Sequence, residues 1–197
     1  MGISMGGAVA MLLSLRRHNT PLWANFKGTV LLAPAILQTL STPPYPALLL
    51  LKLIMWFGGA WLRWGPKAKQ TGWREMIEGL PEEQWPLRCA HTHVEALNSP
   101  YAAYPRRMIL NTGIEMLSLV ERMERSLEKV TVPFFVVHGE GDGVIPVRSS
   151  RLLIERASST EKSIKIYPKL VHSIVDDPLW EEEVEKDVWN WIIIRTE

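Results

Sequence analysis

Met1-Gly2-Ile3-Ser4-Met5-Gly6-Gly7 opens the chain. Its Gly-x-Ser-x-Gly spacing is that of a nucleophile elbow, the tight turn that leads from a buried strand into a helix. The pattern places the serine at the tip of the turn, in a strained backbone conformation. It also explains glycine at both flanks, because a side chain at Gly2 or Gly6 is expected to strike the neighbouring backbone. Small and apolar residues follow, Gly7-Ala8-Val9-Ala10-Met11-Leu12-Leu13, as in a helix that passes close to a sheet. In that arrangement the N–H of Met5 points at a substrate carbonyl as an oxyanion donor. Taken alone, the pattern also fits a Gly-rich start to an ordinary helix, since Gly and Ser are common. The rest of the chain has to decide.

At 197 residues, with 47% hydrophobic residues and a net charge of +1, the chain suits one domain with a substantial core. That hydrophobic content excludes a disordered chain. Acids and bases are interspersed, with no basic stripe, so nucleic acid is not an expected partner. The single cysteine, Cys89, has no partner for an internal disulfide, which favours a reducing compartment and a cytoplasmic location.

After the opening turn, residues 8–17 read as a helix whose basic end, Arg16-Arg17-His18, suits the negative pole of the helix dipole. Lys27 to Ala35 contains a continuous apolar run, Val30-Leu31-Leu32-Ala33, closed by Pro34, as in a strand buried on both faces. Glycine turn, helix and buried strand together predict an α/β protein with a mostly parallel sheet and flanking helices. Residues 38–105 break this rhythm. Ala47 to Phe57 is the most apolar stretch, yet Lys52, Gly58, Gly59 and Arg63 interrupt it. A membrane span needs about 20 uninterrupted apolar residues. A core helix, a helix touching a membrane surface and a lid over an acyl pocket all fit that stretch. Regularity returns with a helix over 108–128, an apolar strand Val130 to Gly139, a helix over 149–158, an alternating outer strand over 163–167 and a closing helix over 181–194. Residues 1–37 and 106–197 therefore read as the α/β core, with 38–105 as an irregular insertion between its two parts.

A serine hydroxyl is a weak nucleophile unless a base takes its proton. That base is usually a histidine held by a carboxylate. Asp142 follows a strand directly, in Gly139-Glu140-Gly141-Asp142-Gly143, and His172 lies five residues beyond Tyr167, just after the next strand. Each has a plain alternative: Asp142 as a turn residue capping its own backbone, His172 as a surface histidine. Their order, Ser then Asp then His, with each placed just after a strand, makes the set specific. Glu140, Asp176 and Asp177 are the competing acids. His138 is expected to make structural contacts only. His91 and His93 share one strand face, but no third ligand has metal spacing, so neither metal nor cofactor is expected.

The segments Gly2-Ile3-Ser4-Met5-Gly6-Gly7-Ala8-Val9-Ala10, Val30 to Pro34, Val132 to Asp142, and Ala157 to Pro168 leading to His172 resemble the monoacylglycerol-lipase-like α/β-hydrolases and their plant caffeoylshikimate-esterase-like relatives. The resemblance spans nearly the whole chain and is weakest over 38–90. It implies Ser4 as nucleophile, His172 as general base, Asp142 as the orienting acid of a catalytic triad, and Met5 N–H in the oxyanion hole. It implies a helical cap over 38–105 whose apolar side meets an acyl chain, with peripheral membrane contact through it. The implied substrates are small acyl esters, foremost monoacylglycerols, cleaved without a cofactor. A peptidase or thioesterase of the same fold, or a non-catalytic binding module, are the alternatives.

The chain departs from the family in three ways. The elbow falls at residue 2 rather than near mid-fold, the earlier His-Gly loop with a second oxyanion donor is absent, and Ile3 stands where His or Glu is usual. The expectation is therefore the C-terminal portion of such a hydrolase. It should lack the strand before Gly2, leave Val30–Leu32 and Phe134–Val137 with unpaired edges and bare apolar faces, and be weakly active and prone to aggregate.

Overall fold

The computed structural model describes residues 1–16, 23–37, 50, 53, 110–168, 170–177 and 179–196. Four strands, β1 (Gly2–Ile3), β2 (Thr29–Leu32), β3 (Phe134–Gly139) and β4 (Lys162–Tyr167), lie side by side in chain order. Every pairing is parallel, with Gly2 opposite Leu31, Leu31 opposite Val136, and Val136 opposite Ile164. The helices are α1 (Met5–Leu15), α2 (Leu110–Glu124), α3 (Arg148–Arg156) and α4 (Glu185–Thr196), the last preceded by a wide turn over Trp180–Val184.

Successive side chains of a strand point to opposite faces, so a strand covered on both sides needs apolar residues throughout. In β2 and β3 they divide accordingly. Leu31, Phe134 and Val136 pack with Ala8 and Met11 of α1, Met123 of α2 and Leu153 of α3. Val30, Leu32, Phe135 and Val137 pack with Tyr167, Leu170, Ile174, Val184 and Val188 on the other face, where α4 lies. Met11 is fully buried, and a side chain of that size contributes about 1.5–3 kcal/mol by leaving water. Strand β4 alternates, with Ser163 and Lys165 exposed, as the outer strand expected from its sequence. Asp187 ties α4 back to it, accepting from both Lys165 Nζ and Tyr167 Oη.

Three expectations are corrected. β2 and β3 are interior strands, paired on both edges and buried on both faces, so among the described residues the sheet edges lie at β1 and β4 instead. The strand before the elbow is not wholly missing, because Gly2 and Ile3 pair with β2. Glycine is not needed at both flanks of Ser4 for the same reason. A Cβ on Gly2 would sit 2.5 Å from the Gly6 carbonyl oxygen, whereas one on Gly6 would meet nothing within 4 Å. The second close approach belongs to Gly7, where a Cβ would lie 2.8 Å from Pro34 Cβ. The proposed cap, with the apolar stretch 47–57, Cys89 and the His91–His93 pair, lies outside the described residues apart from Leu50 and Leu53, which are helical and exposed.

Candidate active site

Ser4 sits between β1 and α1 with φ 52° and ψ −123°, a conformation costly for any residue with a side chain. Short bonds hold it there. Its N–H donates to Leu32 O at 2.9 Å, and its carbonyl accepts from Gly7 N and Ala35 N, each at 3.0 Å. Ala33, also at positive φ (43°), turns the chain just past β2 and is pinned by its N–H to Val137 O at 2.9 Å. Two strained residues thus flank one point at the C-terminal ends of the strands. Met5 is the first residue of α1, so its N–H has no acceptor within the helix.

The loops after β3 and β4 are stitched to each other. Glu140 N–H donates to Tyr167 O at 3.0 Å and Gly141 N–H to Leu170 O at 3.1 Å. Gly139 permits this approach, since a Cβ there would fall 2.1 Å from Leu170 O. The stitched loops carry the acid and the imidazole. His172 Nδ1 lies 2.8 Å from Asp142 Oδ2, and His172 Nε2 lies 3.1 Å from Ser4 Oγ. A carboxylate beside Nδ1 favours the tautomer with its proton there, which leaves Nε2 as an acceptor towards the hydroxyl. Ser4, His172 and Asp142 are therefore one hydrogen-bonded chain, built from positions as far as 168 residues apart.

Asp142 is buried, and its other oxygen, Oδ1, accepts from Val144 N and Ile145 N at 2.8 Å each. Burial alone raises its pKa. The donors His138, His172 and the Ile145 N–H, with the charge His172 can carry, outweigh burial and hold the carboxyl well below the usual carboxylate range. The competing acids stand elsewhere. Glu140 is exposed and 3.7 Å from Arg151. Asp177 is buried and caps Leu179 N at 3.0 Å, with its pKa raised by burial and by the nearby Glu182 charge.

Sequence reasoning gave His138 only structural contacts and did not single out Ser149 or Ser150. Ser149, fully buried at the start of α3, donates to Pro34 O and accepts from Ile36 N and Leu37 N, all at 3.1 Å. It grips the chain as it leaves β2. Ser150 bonds His138, whose ring also approaches Asp142 Oδ2 at 3.2 Å. The only signal in the sequence was the spacing of His138 and Asp142, four residues apart across a turn. Among the described residues no cluster of His, Cys, Asp and Glu is grouped as metal ligands.

A parallel sheet with helices on both faces, carrying this linkage at the ends of its strands, is an α/β-hydrolase fold. The chain belongs to the serine aminopeptidase S33 family (Hydrolase_4), whose model matches residues 1–179. It is 28% identical to human monoglyceride lipase over 200 residues, covering 100% of this chain and 58% of that protein. Over 94 residues it is 39% identical to Arabidopsis thaliana caffeoylshikimate esterase, covering 47% of this chain and 27% of the esterase. Among solved structures, the monoacylglycerol lipase of Paleococcus ferrophilus superposes with a TM-score of 0.69 at 22% identity, covering 98% of this chain and 67% of that one. A soluble variant of Saccharomyces cerevisiae monoglyceride lipase gives a TM-score of 0.65 at 17% identity, covering 100% and 61%. At those identities the structural likeness speaks for the fold alone. The chain spans little more than half the length of the human lipase it matches.

Proposed function

We propose that this chain is a serine hydrolase cleaving carboxylic esters, with monoacylglycerols or related acyl esters as substrates. The observation that carries the proposal is the Ser4 Oγ–His172 Nε2 distance of 3.1 Å, continued to Asp142 at 2.8 Å. Ser4 Oγ attacks the ester carbonyl carbon while His172 Nε2 takes its proton. The Met5 N–H receives the developing oxyanion at the positive end of α1. Collapse of the tetrahedral intermediate breaks the bond to the alcohol, which leaves with the proton from His172. Water, deprotonated by the same imidazole, then releases the acid and restores Ser4. Asp142 keeps its charge throughout and stabilises the imidazolium. Met5 N–H acts as an oxyanion donor in this reading, and each such donor contributes about 100- to 1,000-fold in rate.

The choice of an ester with an acyl chain leans on the relatives, named as monoglyceride lipases and a caffeoylshikimate esterase. The family description, a serine aminopeptidase, favours a second reading in which the scissile bond is a peptide amide. Hydrolysis of a monoacylglycerol series measured against aminoacyl amides separates them. Ester turnover with no amide turnover is expected, and the reverse would overturn the ester assignment.

A further inference from the structure

His138, near the end of β3, has no part in those steps, yet its buried ring lies against the carboxylate they depend on. Its side chain is fully buried, with Nδ1 2.6 Å from Ser150 Oγ and Nε2 3.0 Å from the Ile145 carbonyl. A carbonyl can only accept, so the ring proton is on Nε2 and the Ser150 hydroxyl donates to Nδ1. The same Nε2–H lies 3.2 Å from Asp142 Oδ2, the oxygen that takes the Nδ1–H of His172. Two imidazoles thus share one carboxylate oxygen, while two backbone N–H groups fill the other. Ile145 is held from both sides, its N–H on Asp142 and its carbonyl on His138. Sealed from water and engaged at both nitrogens, His138 is not a second base.

We propose that His138 is a positioning residue: backed by Ser150, it fixes the carboxylate plane of Asp142 and, through it, the tautomer and direction of His172. The proposal rests on Asp142 and His172 being the orienting acid and the base. Without His138, Asp142 Oδ2 keeps a single side-chain donor, and the carboxylate plane is set only by the two N–H groups on Oδ1 and by His172 itself. The imidazole that faces Ser4 is then held by a carboxylate whose direction is less narrowly set. A displacement of about 1 Å in such a site costs on the order of 100-fold in rate.

The test combines imidazole nitrogen NMR of the ¹⁵N-labelled chain with the rate at which a fluorophosphonate labels it, for wild type, His138→Leu, His138→Gln and Ser150→Ala. In wild type, His172 should hold one tautomer with its proton on Nδ1. His138→Leu should mix the tautomers and slow labelling by about 100-fold. His138→Gln keeps one N–H donor and should restore most of both signals, which a role in packing alone does not predict. Ser150→Ala should shift both in the same direction by less, and it decides the matter if His138→Leu does not fold. A folded His138→Leu with the wild-type tautomer and rate overturns the proposal, as does a Gln variant no better than Leu. If the wild-type chain is not labelled at all, the hydrolase assignment fails, while the tautomer signal still decides the role of His138.

Discussion

The two halves of the site are supported unequally. On the β3–β4 side, the loops bearing Asp142 and His172 are joined by backbone bonds, and both oxygens of Asp142 have donors. On the β1 side, Ser4 hangs on a two-residue strand with a free edge among the described residues. Apolar side chains crowd the surface there: Met1, Ile3, Met5, Val9 and Leu13 are between 38% and 70% exposed. The acid–base half is thus held by contacts within this chain. The Ser4 half is strained and kept in place by a few hydrogen bonds, beside an exposed apolar flank. Substitutions in the first half should change chemistry more than stability, and those at the glycines and on the apolar flank of the second should change folding or association.

The largest effect expected is on Ser4 itself. Ser4→Ala should remove ester turnover by about a million-fold while leaving the fold intact, as judged by circular dichroism. Asp142→Asn should lower turnover by about 10,000-fold, because the neutral amide no longer fixes the His172 tautomer. The same variant tests the electrostatics. Asp142 has a folded pKa below its unfolded value of about 3.9, so its ionised form contributes stability above about pH 4. That contribution fades as pH falls towards the folded value. In urea titrations the stability advantage of wild type over Asp142→Asn should be constant near neutrality and shrink on acidification. An advantage that grows in acid contradicts the assignment.

A smaller pair sharpens the view of the nucleophile half. Gly2→Ala pushes a methyl against the Gly6 carbonyl and should cost about 1–3 kcal/mol. Gly6→Ala has open space and should stabilise α1, by up to about 1 kcal/mol. Equal losses from both would mean that the turn is packed differently. Last, Val9→Asp with Leu13→Lys should reduce self-association, seen by sedimentation velocity, with little change in the unfolding midpoint.

Much of this was legible in the sequence because the physics is local or periodic there. Continuous apolar runs marked β2 and β3 as strands buried on both faces, and the alternation of 163–167 marked β4 as the outer one. Ser4, Asp142 and His172 could be picked out as candidates, and their proximity expected, because each follows a strand, and strand ends in a parallel sheet share one rim. What escaped depends on distances between segments remote in the chain. The freedom at Gly6 and the tightness at Gly7 are set by where Pro34 lies, not by the motif. The double pairing of β2 and β3 could not be known before their neighbours were placed. The grip of Ser149 on residues 34–37 and the contact of Ser150 with His138 each join an α3 serine to a distant strand end, and no composition or spacing rule marks a buried serine in advance.

The central claim is that Ser4 is activated by His172, and the most direct test is to map the adduct of a fluorophosphonate by peptide mass spectrometry. A single adduct on Ser4, lost in His172→Ala, is predicted. No adduct, an adduct on another residue, or equal Ser4 labelling in His172→Ala would contradict it.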